Sequence, residues 1–220
     1  MISESIKSSI NAIQRKRSAQ ESKVSLDAQT AALAQLDVAC KQAKSLLECC
    51  ASIQSSGISK EAPLSDGTRQ ELMDSISSCG NAVSEHALSK DTVSVLSSTV
   101  KNASNEVQQV WKSQATSYSE GSKGYLSLIA GLTADPKGAR MLAVRINDIC
   151  NEAPTVKNVQ TLTADISKAK EIISRFSIKP EIEAFLKKVS AQQATVFDLT
   201  PEILAWLKAQ GLTGKLKVNF

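Results

Sequence analysis

Aromatic residues make up only 4% of this 220-residue chain, which also has just 5 prolines, 9 glycines and one histidine. Each shortage excludes something. With so few rings, an apolar core is built largely from Ala, Val, Ile and Leu, side chains that suit thin seams between helices. Scarce proline and glycine leave long stretches free to stay helical. The single imidazole, His86, stands beside Glu85 in a Ser-rich helical stretch, where a lone histidine is expected at the surface. Ser-His-Asp or Cys-His catalysis would need a nucleophile held against it, and none of the 31 serines lies in a GxSxG elbow.

Phosphate cradles of the GxGxxG and GxxxxGKS/T kinds are missing too. "SEGSKGY" (119–125) has the glycines but no preceding strand to aim its amides, and is expected to be a hinge at 119–124. Carboxylates such as Glu181 and Glu183 lie on different sides of a helix without a matched second pair, so neither a two-metal nor a glycosidase arrangement is indicated. Cys40, Cys49, Cys50, Cys79 and Cys150 are odd in number and show no CxxC or Cys/His cluster. That favours small apolar core residues over disulfides or metal ligands. No catalytic residue, cofactor or metal is expected, and the chain is expected not to be an enzyme.

Long apolar runs are absent as well. No window approaches 18 uncharged apolar residues, and the most apolar segment, "YLSLIAGL" (125–132), is too short to cross a bilayer. The opening "MISESIKSSINAIQRKR" carries no apolar stretch of signal-peptide length. A soluble cytoplasmic protein without a membrane span is the expectation.

Nor does one sign of charge dominate. The net charge is +4; residues 1–57 carry 7 bases and 5 acids, 58–120 carry 5 and 8, and 121–220 carry 14 and 9. The longest run of like charge is Arg15, Lys16 and Arg17. Nucleic-acid proteins show a stronger basic footprint. The C-terminal lysines 168, 170, 187, 188, 215 and 217 lack interleaved rings for stacking, since Phe176, Phe185 and Phe197 are expected in the core.

What is present is heptad spacing. From Ile2 to Ile53 there is neither Pro nor Gly. Ile6, Ile10 and Ile13 open at helical spacing. Leu26, Leu33, Cys40 and Leu47 then recur every seven residues, with Leu36, Ala43 and Cys50 three residues after the last three. Alternation of three and four is a coiled-coil seam; either its register shifts near 17–26 or the first portion faces a different partner. A continuous helix of this length spans roughly 78 Å at 1.5 Å per residue. A loop is expected at 54–67, then a capping box at Thr68 and Glu71 and a helix with Leu72, Ile76, Cys79 and Val83 on one face. "SKDT" (89–92) is a break or a polar turn. Val93, Leu96, Val100, Ala103, Val107 and Val110, spaced 3-4-3-4-3, form the cleanest heptad run and should lie along the first helix folded back antiparallel.

Beyond the hinge, helices are expected at 125–132, from Pro136 to Asn151, from Thr155 to Ser177, and from Lys179-Pro180 onward. The third carries Val159, Leu162, Ile166, Ala169, Ile173 and Phe176 on one side, and the fourth buries Ile182, Phe185, Leu186 and Val189. The ending "DLTPEILAWLKAQGLTGKLKVNF" has Thr200 as a cap, Pro201 at the first helical position, Glu202 at the positive terminus and Gly211 as a stop. "KLKVNF" alternates polar and apolar, which predicts a strand with Leu216, Val218 and Phe220 on one face. Its backbone needs a partner, either "ATVFDL" (194–199) or another chain.

Together these give an all-α fold: an elongated antiparallel coiled coil or helical hairpin (1–120), a compact helical bundle (121–193), and a C-terminal helix–strand cap or docking unit (194–220). Narrow stripes on long helices cannot all be buried in one thin hairpin. The expected function is a structural or adaptor subunit that self-associates, or joins a larger protein partner, through coiled-coil seams. Its contact residues would be Leu33, Leu36, Leu47, Val93, Leu96, Val100, Val107 and Val110, with Trp206 and Phe220 as secondary docking residues. The alternative is a nucleic-acid-binding accessory protein using basic helix faces. A membrane-active bundle exposing 125–132 ranks below both.

Overall fold

Side-chain oxygens close the first turns of most helices in this chain, meeting amides that have no partner inside the helix. Ser65 accepts the amide of Thr68 at 3.3 Å, Ser89 that of Thr92 at 3.2 Å, Asp135 that of Gly138 at 2.8 Å, Thr155 that of Asn158 at 3.1 Å and Thr200 that of Ile203 at 3.3 Å. The computed structural model describes residues 2–130, 132, 135–191 and 193–213. Its elements are α1 (Ile2–Ser55), α2 (Asp66–Ser84), α3 (Lys90–Ile129), α4 (Pro136–Asn151), α5 (Val156–Ser174), α6 (Pro180–Ser190) and α7 (Pro201–Ala209), with a 3₁₀ turn at Val196–Asp198 between the last two. Among the described residues there is no β-strand; the fold is all-α. The strand expected around Leu216, Val218 and Phe220 lies outside the described residues; its expected partner segment, 194–199, holds the 3₁₀ turn at Val196–Asp198, with Thr195 in an isolated β-bridge.

Three local expectations are corrected. The segment 119–124 is not a hinge but part of α3, which also absorbs most of the separate helix expected at 125–132. A glycine costs a helix only about 1 kcal/mol. Burying Leu126 and Ile129 on the same helix outweighs that. The small Ser119 is itself buried and meets the Cys150 thiol of α4 at 3.5 Å. The α2 cap is Ser65 rather than Thr68, whose hydroxyl is turned to another partner. His86 is not helical: α2 ends at Ser84, and His86 sits in the following turn with φ 54°.

The chain divides into two compact units, residues 1–50 with 64–107, and residues 51–63 with 108–220. In the first, Ala39 and Ala43 of α1 share a core with Leu72 and Cys79 of α2 and Leu96 and Val100 of α3, and Leu36 packs against its edge. Ala32 meets Leu88 and Val93 in a smaller cluster. The inward column of α1 in this unit is therefore Ala32, Leu36, Ala39, Ala43, Leu46 and Cys50, spaced 4-3-4-3-4, all of them buried except the half-buried Leu36. The column of Leu36, Ala43 and Cys50 is as expected; its companion is Ala32, Ala39 and Leu46, not Leu33, Cys40 and Leu47. Alanines let two helices approach the same face of α1 at once, which leucines would prevent. On α3, Val93, Leu96, Val100, Ala103 and Val107 are buried, after which the column steps by four to Trp111, Ala115 and Ser119 and leaves Val110 half-buried. Successive four-residue steps carry the seam away from a seven-residue register.

In the second unit α4 and α5 bury facing apolar rows, and α7 closes a core with α6: Phe185, Leu186, Ile203, Trp206 and Leu207. Each such side chain contributes about 1.5–3 kcal/mol by leaving water. The Trp206 indole also donates to the Phe176 carbonyl at 2.6 Å, fixing α7 against the end of α5. Gly211, at φ 65°, takes the left-handed conformation that stops α7.

Candidate interaction surfaces

The residues expected to meet a partner fall into two groups. Val93, Leu96, Val100 and Val107 are buried within the chain, as is Trp206, and Leu36 and Val110 are half-buried. None of the buried ones can reach another molecule unless the helices separate. Leu33 and Leu47 are 49% and 44% exposed. Phe220 lies outside the described residues.

The exposed pair belongs to a longer ribbon. Leu26 (63% exposed), Leu33, Cys40 and Leu47 recur every seven residues on α1, all in the first unit and all exposed. They cover roughly 31 Å of helix at 1.5 Å per residue. The same leucines that carried the sequence pattern are thus left outside, because alanines occupy the seam.

The second unit has two further apolar features. Phe197, expected in the core, is 97% exposed at the tip of the 3₁₀ turn, and Val196 and Leu204 near it in sequence are also exposed. The turn is tied down from below. Asp198 accepts the Thr195 amide at 2.8 Å and the Thr195 hydroxyl at 3.0 Å, and pairs with the Lys188 ammonium. Chiefly through Lys188, and then through the Thr195 amide, its carboxyl is held down to about 2. The other feature is an open groove of about 660 Å³ along α4 and α5, whose apolar lining is Met141, Leu142, Val144 and Ile172. Arg140, Arg145, Lys168, Asp135 and Asp148 also line it. Arg145 is committed to the buried Asp165, donating from Nε at 2.6 Å and again from a terminal nitrogen.

Groups with reactive chemistry are mostly locked into structure. Burial pushes up the thiols of Cys49, Cys50 (to about 11) and Cys79, so they stay protonated; Cys40, expected to be buried like them, is exposed. A polar depression in the second unit is lined by Ser52, Ser55, Ser56, Gln160, Thr163 and Ser167, but the Ser55, Ser56, Thr163 and Ser167 hydroxyls donate back to helix carbonyls. Glu183 lies between Lys187, at 2.6 Å, and the Tyr125 hydroxyl, which together lower its pKa. Among the described residues, no three His, Cys, Asp or Glu side chains gather as a metal would require. Arg15, Lys16 and Arg17 are exposed. Of the C-terminal lysines, Lys187 and Lys188 are ion-paired, and Lys170 lies 5.7 Å from the Tyr118 ring centre.

Comparison with known protein families, with curated proteins and with solved structures finds no match for the chain. No described helix is long and apolar enough to cross a membrane.

Proposed function

We propose that this chain is a non-enzymatic structural or adaptor subunit that self-associates, or assembles with a larger protein partner, through the free leucine stripe of α1. The observation that carries this reading is the stripe itself: Leu26, Leu33, Cys40 and Leu47, evenly spaced and outward-facing on one long helix. A second helix laid along it would repeat every seven residues with it, the geometry of a coiled-coil pair. Each leucine covered would contribute about 1.5–3 kcal/mol, offset in part by the ordering cost of association. The contact residues are accordingly Leu26, Leu33 and Leu47. Val93, Leu96, Val100 and Val107 act only by holding α3 in the fold.

Light scattering coupled to chromatography tests this on the purified chain, alone and mixed with products of neighbouring genes. Leu33→Glu and Leu47→Glu are compared with wild type. The reading requires an assembly whose mass falls in both variants while the melting temperature is retained. Unchanged mass in both variants rejects it, whereas charge placed at Val100 or Val107 would merely unfold the first unit.

A further inference from the structure

We draw no further inference here: the strongest candidate, the Phe197 ring that the 3₁₀ turn at Val196–Asp198 leaves 97% exposed, is an apolar surface of the second unit, and nothing in the structure shows what covers it.

Discussion

The carboxylate of Glu106 in α3 accepts the Thr68 hydroxyl at 2.5 Å in the first turn of α2, and its other oxygen accepts the Ser65 amide at 2.7 Å. A negative charge from one helix thereby completes the N-terminus of another, where unpaired amides concentrate positive potential. The hydrogen bond from Thr68, then that from Ser65, hold the Glu106 carboxyl below its ordinary range.

Glu106→Ala should therefore cost about 1–2 kcal/mol, the size of a lost helix cap. Since the folded chain binds this proton less readily than the unfolded chain, the contribution is complete above the ordinary glutamate range and fades as the pH falls through the lowered value. Thermal melts of wild type and variant should differ at neutral pH and draw together as the pH falls below the ordinary glutamate range. Superimposable melts at neutral pH would refute the cap.

His86 occupies the left-handed region at φ 54°, and its carbonyl accepts the Gln29 side-chain amide at 3.4 Å. On the His86 side that bond uses only the backbone carbonyl, so glycine keeps it while relieving the clash of Cβ with the chain. His86→Gly should raise stability by about 0.5–1 kcal/mol, and His86→Val should lower it. Urea midpoints decide; a destabilised glycine variant would mean the imidazole itself holds the turn.

Much of this architecture was legible in local signals. Thr200, Pro201 and Gly211 mark both ends of α7, and Pro136 and Asn151 bound α4 where their types suggest, because caps act within a single turn. The seam of α1 was legible only by half. Two columns, one of leucines and one mostly of alanines, flank Leu36, Ala43 and Cys50 equally well in spacing, and hydrophobicity alone selects the leucines. Which column is buried depends on how closely α2 and α3 approach, a tertiary quantity. The same blindness affects Phe197: its aromatic character points inward, whereas the Thr195–Asp198 tie that turns it outward involves Lys188, 10 residues from Asp198. Ser119 and Ser122 look like linker residues until their burial inside α3 gives them a packing role.

Gly121 and Gly124 test that last point. A Cβ built on either meets nothing within 4 Å, and neither has a positive φ. Alanine should then stabilise by about 0.5–1 kcal/mol at each position, through helix propensity and a less flexible unfolded chain. The double variant should melt higher than wild type and slow amide exchange across 119–124. Lower stability, or fast exchange in wild type, would restore the hinge.

Asp165 is the buried carboxylate of the second unit, its side chain 3% exposed, and Arg145 reaches it from α4 with a guanidinium that remains 54% exposed. A two-pronged bond of this kind fixes the angle between the groups as well as their separation. Arg145→Met leaves the acid buried without its cation, a change that costs about 3 kcal/mol, the low end of the usual range because water reaches this side of the pair. Asp165→Leu leaves the arginine free to turn into solvent and should cost less. The double variant Arg145→Met/Asp165→Leu removes charge and desolvation together and should lie within about 1 kcal/mol of wild type. The single-variant costs therefore should not add, and the cycle should return a coupling of about 2 kcal/mol or more. Additive costs would instead assign Asp165 to the solvated surface of α5 and remove the pair from any role in joining α5 to α4.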